Sequence, residues 1–217
     1  MPIKSVWLGL NFEEAALDHT EESYASETYA VELCAREKAH LSVFLAAPIF
    51  KIPGMVPGAG LFPMANAPAD EVNANRRMRA EEAQRRIAGA VKSAGVATEF
   101  CIAQESYPLL REYFVASARP NDVIILSRSG YYLSFDRNMI EAMLFTSGRP
   151  IVIVPPDWER GARLEKVVIA WDGSGRAARA VGDAMPMLTR AEQVEIVYVS
   201  PGAFRSFGPP RTPLQEK

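Results

Sequence analysis

Residues 122–156 read DVIILSRSGYYLSFDRNMIEAMLFTSGRPIVIVPP, and the pattern of this stretch decides the fold. An apolar run at 122–127 is followed by a turn-rich segment, an amphipathic segment at 136–146 and a second apolar run at 150–154. Short apolar runs bounded by turn residues are typical of buried strands, and the longer amphipathic segment is typical of a helix. A strand, a helix and a strand in this order predict two parallel strands of one sheet.

The same alternation extends towards the N-terminus. It predicts strands at 5–10, 41–46 and 98–103 and helices at 19–39, 69–94 and 107–118. Within the long charged helix at 69–94, an apolar stripe is predicted to face the core, and Gly95 is predicted to end the helix; the stripe comprises Val72, Met78, Ile87 and Val91. The predicted fold is α/β, an open twisted parallel sheet with helices on both faces, in a Rossmann-like arrangement.

The pattern restarts after residue 156. Residues 157–166 have the charge and glycine content of a linker, and 167–200 contain a strand, a helix and a second strand. We therefore predict a complete domain at 1–156, a linker at 157–166 and an incomplete second β-α-β unit at 167–200. Residues 201–217 carry four prolines and no apolar period, so a poorly ordered tail is expected there.

Amino-acid composition and charge limit the classes of function that are expected for this chain. The 217 residues are 48% hydrophobic and 23% charged with a net charge of −2, and the basic residues are dispersed, so nucleic acid is not an expected partner. No apolar run approaches the roughly 18 residues of a membrane span, and no signal-like leader is recognised, so we expect a cytoplasmic protein without a membrane partner. Cys34 and Cys101 have no neighbouring ligands and are predicted to be reduced core thiols, with no metal site.

Residues 48–68, PIFKIPGMVPGAGLFPMANAP, interrupt the regular pattern with prolines, glycines and apolar side chains. Such a loop on a compact α/β unit is either a lid over a ligand crevice or a dimer contact. The apolar residues favour the contact.

Two stretches resemble the universal stress protein family. VVIAWDGS at 167–174, followed by a helix rich in Ala and Arg, is similar to the family's first strand, the Asp at its end and its first helix. Residues 122–156 are similar to the family's fourth strand, phosphate loop, last helix and last strand in tandem bacterial members. The resemblance implies a tandem protein whose second unit is truncated.

The resemblance also implies where a nucleotide would bind. Members that bind ATP place an Asp at the end of the first strand and hold the phosphates with Gly-x2-Gly-x9-Gly followed by Ser or Thr, because glycines let backbone N–H groups approach the phosphates. Here Asn11 stands at the Asp position, followed by two glutamates. Ser127 stands at the first glycine and Gly130 at the second, but Ile140 and Glu141 stand where Gly and Ser would be.

Two readings of this loop remain open. Ser127, Arg128, Ser129 and Gly130 form either a small anion-binding turn or a plain strand-to-helix turn. In the second unit, Asp172 matches the family's Asp and either contacts a ligand or caps the following helix.

The resulting functional prediction is a non-catalytic, homodimeric stress-response module with a degenerate nucleotide site, for which ATP or AMP is the candidate ligand. The alternative is an adenine nucleotide-binding protein or a nucleotide-dependent enzyme of related architecture. The sequence contains no GxSxG, GxxxxGK[ST], HExxH or SxxK motif, which argues against the enzyme. A third interpretation is an interaction protein whose second-unit strands complete a sheet in another copy.

Overall fold

The computed structural model describes residues 2–12, 24–49, 67–127 and 135–198. The chain forms two compact units, unit 1 at Met1–Arg163 and unit 2 at Leu164–Lys217. The predicted tail at 201–217 and most of the loop at 48–68 lie outside the described residues.

Unit 1 alternates strands and helices as predicted. Its elements are β1 (Ser5–Asn11), α1 (Ala25–Glu37), β2 (His40–Ala46), α2 (Ala67–Ala94), β3 (Thr98–Ala103), α3 (Tyr107–Ala118), β4 (Val123–Ser127), α4 (Phe135–Thr146) and β5 (Ile151–Val154).

The five strands form one parallel sheet in the order β3-β2-β1-β4-β5. Helix α1 contacts α2, and α3 contacts α4. With right-handed crossovers, the reversal of strand order after β3 places α1 and α2 on one face of the sheet and α3 and α4 on the other. The predicted fold class is confirmed.

Local sequence explains where the helices end. Gly95 after α2 and Gly148 after α4 have φ of +67° and +69°, the left-handed conformation that glycine adopts without strain. Pro108 lies in the first turn of α3, where a missing N–H costs nothing.

The core lies on both faces of the sheet. On the α3–α4 face, a cluster of buried side chains includes Trp7, Phe44, Leu110, Phe114 and Met143. On the other face, β2 contributes Leu41, Val43 and Leu45, each at most 2% exposed.

Two details of the predicted core are wrong. Met78 of the α2 stripe is exposed, and Ala80 and Ala83 are buried instead, so the stripe that meets the sheet is offset and made of smaller residues. Cys101 is exposed because β3 is an edge strand, whereas Cys34 is buried as predicted.

A carboxylate ties the beginnings of β1 and β4 together. Asp122 Oδ2 accepts hydrogen bonds from the backbone N–H of Lys4 at 2.8 Å, the backbone N–H of Ser5 at 3.0 Å and the Ser5 hydroxyl at 3.2 Å. Burial by itself would raise the pKa of Asp122, but these hydrogen bonds outweigh it and lower that pKa below its usual value.

Residues 157–163 fall in the predicted linker but are part of unit 1. They are held against α1 by hydrogen bonds. Arg36 Nη1 donates to the carbonyl of Ala162 at 2.6 Å, and the backbone N–H of Ala162 donates to Glu32 Oε2 at 2.9 Å. The indole N–H of Trp158 donates to the carbonyl of Gly161 at 2.7 Å, which closes this short turn.

The described part of unit 2, up to residue 198, is one β-α-β motif. It comprises β6 (Lys166–Trp171), α5 (Gly175–Leu188) and β7 (Gln193–Tyr198), and its two strands pair in parallel. Helix α5 contacts β6, and none of its residues is fully buried.

Among the described residues, none of the helices combines the length and the apolar character that crossing a bilayer requires.

Candidate functional site

The strand order of unit 1 reverses between β1 and β4. In open α/β sheets this reversal point, at the carboxyl ends of the strands, is where ligands bind, because the helices on either side depart in opposite directions. Asn11 ends β1 and Ser127 ends β4. Both line one cleft at this point, together with Gly9, Phe114, Leu126, Met139 and Ile140.

The structure therefore brings together two of the residues predicted to form the nucleotide site, Asn11 and Ser127. Arg128, Ser129 and Gly130, the remainder of the predicted loop, lie outside the described residues. Asp172 belongs to unit 2.

The cleft is small. The space that its lining residues enclose is about 10 Å³, which is at the lower limit for one water molecule. Pockets that hold organic ligands usually measure about 300–1,000 Å³. This cleft, as its described residues line it, is thus far smaller than a nucleotide-binding pocket.

An aromatic cluster fills the space beneath the cleft. The rings of Trp7 and Phe114 meet edge to face with centroids 4.6 Å apart, and Phe44 and Phe114 do so at 5.4 Å. This is the geometry that aromatic pairs prefer, and it adds to their stabilisation by burial.

Gly9 is required for this packing. A Cβ on Gly9 would lie 2.5 Å from Phe114 Cζ and 2.6 Å from Trp7 Cη2, and it would also meet Trp7 Cζ3. These distances are shorter than any non-bonded carbon contact, and both rings are almost fully buried. Gly9, two residues before the end of β1, therefore makes room for these aromatic side chains.

Sequence reasoning missed the helical residues of the cleft, Phe114, Met139 and Ile140. They follow the apolar periodicity of α3 and α4, and that signal marks them only as core residues. Their position at the reversal point depends on how the two helices pack across the sheet.

Asp172 has a local structural role. Its Oδ1 accepts a hydrogen bond from the backbone N–H of Ser174 at 2.8 Å, which closes a turn of the Asx type. Hydrogen bonds from the Ser174 hydroxyl and backbone N–H lower the pKa of Asp172 below its usual value. The predicted cap is thus displaced by two residues: the N-cap of α5 is Ser174, whose Oγ accepts from the backbone N–H of Ala177 at 3.1 Å.

Neither described cysteine is an activated thiolate. Burial raises the pKa of the Cys34 thiol to about 12, so this thiol does not ionise near neutral pH. Burial, and secondarily the charge of Glu99, also raise the pKa of Cys101. Within the described ranges, no three His, Cys, Asp or Glu side chains are grouped so as to hold a metal ion.

Comparison with known proteins gives the fold. No family profile matches the sequence, and no curated protein sequence matches it either. Among solved structures, a universal stress protein from Archaeoglobus fulgidus DSM 4304 is similar over 91% of this chain and 68% of its own, with 17% identity and a TM-score of 0.61. UspA, a universal stress protein from Lactobacillus plantarum, is similar over 71% of this chain and 99% of its own, with 13% identity and a TM-score of 0.51.

A third similar structure is a functionally unknown protein from Pseudomonas aeruginosa PAO1, with 11% identity and a TM-score of 0.50 over 90% of this chain and 60% of its own. Identities this low establish the fold alone. The resemblance to universal stress proteins that the sequence predicted is confirmed at that level.

Proposed function

We propose that this chain, which has the fold of the universal stress proteins, is a non-catalytic homodimeric stress-response module whose unit 1 does not bind ATP. The observation that carries the proposal is the small cleft at the reversal point between β1 and β4. Its cleft encloses about 10 Å³ over the packed rings of Trp7 and Phe114.

The polar groups at this point support the same conclusion. Asn11 stands at the position of the Asp that the family's ATP-binding members use, and Ile140 and Glu141 stand where their last glycine and hydroxyl residue would be. A neutral amide at Asn11 is a weaker hydrogen-bond acceptor than a carboxylate.

The proposed non-catalytic role draws on the state of the buried cysteine. The Cys34 thiol, with its pKa of about 12, is protonated and buried, so it is not an activated nucleophile. The stress-response role is proposed from the fold that this chain shares with universal stress proteins.

The homodimer is supported by exposed apolar side chains in both units. In unit 1, Phe145 on α4 is 83% exposed, Leu144 next to it is exposed as well, and so is Ile153 on the edge strand β5. In unit 2, exposed apolar side chains line both strands. Such surfaces usually mark contacts with other chains.

Release of small molecules from freshly purified protein tests the proposal that unit 1 does not bind ATP. The protein is denatured, and the released small molecules are separated and analysed for adenine nucleotides by mass spectrometry. A thermal-shift titration with ATP follows. We expect no nucleotide at stoichiometric level and no change in Tm.

Stoichiometric ATP or AMP would instead favour the second candidate, an adenine nucleotide-binding protein, which the joint location of Asn11 and Ser127 at the reversal point would then explain. Two variants would assign the site: loss of nucleotide in Asn11→Leu places it in unit 1, and loss in Asp172→Ala places it in unit 2. Light scattering after size exclusion tests the other half of the proposal, and a monomer at micromolar concentration would contradict it.

A further inference from the structure

Strand β7 carries a row of exposed apolar side chains. In the parallel register with β6, Val194 lies beside Val167, Ile196 beside Ile169 and Tyr198 beside Trp171. These paired residues share one face of the two-stranded sheet. Ile196 is 69% exposed, Tyr198 65% and Val194 41%.

Helix α5 covers only part of this face. Along β6, Val167, Ile169 and Trp171 are half-buried while the intervening residues are exposed, which places α5 over the face that they share. The β7 residues of the same face remain exposed. The helix therefore shields β6 and leaves an open apolar strip along β7.

Unit 1 shows what such a strand normally contacts. Strand β2 has the place in β1-α1-β2 that β7 has in β6-α5-β7, and the two registers match Leu41 with Val194, Val43 with Ile196 and Leu45 with Tyr198. The outer edge of β2 pairs with β3, and α2 contacts both strands. Among the described residues, no strand pairs with the outer edge of β7.

The edge of β7 also lacks protection against pairing. Strand edges are commonly blunted by exposed lysines, prolines or bulges. The only charged residue of β7 is Glu195, and it is engaged within the unit by Lys166 Nζ at 2.8 Å and Gln193 Nε2 at 2.9 Å.

We propose that β7 pairs antiparallel with β7 of a second copy of this chain, about a two-fold axis at Ile196. The resulting sheet has the order β6-β7-β7-β6, with one α5 over each outer strand. This inference rests on the homodimer proposed above and assigns its contact surface.

Self-complementarity favours a second copy of β7 as the occupant and argues against a register centred on Glu195. A two-fold axis perpendicular to the sheet keeps each side chain on its own face, so that an axis at Glu195 would set two carboxylates directly opposite each other, which is destabilising. An axis at Ile196 pairs Ile196 with its copy and Val194 with Tyr198. Pairs of aromatic and β-branched residues are favourable across antiparallel strands, and the six apolar side chains then form one strip.

A charge at the centre of this strip tests the pairing. In Ile196→Lys, two ammonium groups face each other across the axis, and we expect the dimer dissociation constant to rise at least about tenfold. The matched control is Val168→Lys, on an exposed position of β6 that faces the opposite side, which should leave the dimer unchanged. Both positions are exposed, so folding is retained, as far-UV circular dichroism would verify; light scattering of the full chain gives the oligomeric state.

Cysteine cross-linking tests the register. Directly opposite residues of an antiparallel pair have Cα atoms about 4.5–5.5 Å apart, which is within disulfide range. In a Cys101→Ser background, Ile196→Cys should form a covalent dimer under mild oxidation, and Val168→Cys should form none above background.

Three outcomes would overturn the assignment in distinguishable ways. If Ile196→Lys stays dimeric and Ile153→Lys on β5 becomes monomeric, the proposed dimer stands but uses the β5 edge. If the wild-type chain is a monomer at micromolar concentration, both the dimer and the pairing are wrong. If the thiol of Ile196→Cys resists alkylation in monomeric protein, β7 is covered within its own chain.

Discussion

Unit 1 and unit 2 each begin with a strand, a helix and a second strand paired in parallel with the first, yet the two motifs have very different burial. In unit 1, α1 buries seven residues, Ser26, Glu27, Tyr29, Ala30, Val31, Leu33 and Cys34. In unit 2, α5 buries none, although its sequence is the more strongly amphipathic of the two.

The difference lies in what surrounds each motif. In unit 1, β4 pairs with the outer side of β1, β3 pairs with the outer side of β2, and α2 contacts β2 and β3. Within the described part of unit 2, nothing occupies the corresponding positions. The local pattern thus specifies the β-α-β motif, whereas burial, and with it most of the stability, comes from the flanking elements.

The largest difference between the two units is expected when side chains at equivalent positions of β1 and β6, the first strand of each unit, are shortened to alanine. Leu8 of β1 is fully buried, and Ile169 occupies the equivalent position of β6, where it is half-buried. Leu8→Ala should lower the free energy of unfolding of unit 1 by about 2–5 kcal/mol, because it removes apolar contacts and leaves a cavity. Ile169→Ala should cost less than about 1 kcal/mol.

Hydrogen exchange with mass spectrometry measures both effects, since it follows each unit separately even if the units do not unfold together. Equal losses of protection would mean that Ile169 is buried against a partner and that the contrast between the units does not hold in solution.

The next largest difference is expected between Asp122 in unit 1 and Asp172 in unit 2. Asp122 joins β1 to β4 through three hydrogen bonds, and Asp172 is exposed and closes a local turn. Asp122→Asn should destabilise unit 1 by about 1–2 kcal/mol at pH 7. Asp172→Asn should leave the unfolding of unit 1 unchanged.

The effect of Asp122 should depend on pH. Since its folded pKa lies below the unfolded value of about 3.9, its stabilising contribution is complete above about pH 5 and is lost as the pH falls through the folded pKa. Urea midpoints of wild type and Asp122→Asn should therefore converge towards pH 3. A constant difference between pH 7 and pH 3 would show that the carboxylate charge is not what stabilises the junction.

Sequence patterns predicted the strands of unit 1 to within one residue, because apolar runs bounded by turns leave few alternatives for a buried parallel strand. Gly95 likewise ended α2 where predicted. Both features depend on interactions between residues close in sequence.

The predictions that failed concern features set by contacts between residues that are far apart in the sequence. The exposure of Cys101 depends on β3 being at the sheet edge, and the burial of Phe114 beneath the cleft depends on α3 crossing to the far face. At the site, the sequence identified the strand-end residues Asn11 and Ser127, which the alternation of elements brings to one edge. It could not show that aromatic rings fill the space below them.

The smallest expected difference between the two units lies at the N-termini of α1 and α5. The side chain of Tyr24, at the N-cap of α1, makes no capping hydrogen bond, and α1 relies on its buried face; Ser174 caps α5, which has no such face. Ser174→Ala should therefore reduce the protection of the first turn of α5 by about 1 kcal/mol, measured by hydrogen exchange, while α1 is unaffected. Ser174→Asp is the matched control, since a carboxylate also accepts from the backbone N–H of Ala177 and should preserve protection. If Ser174→Ala leaves α5 protected, contacts with a partner chain, and not its cap, hold the helix in place.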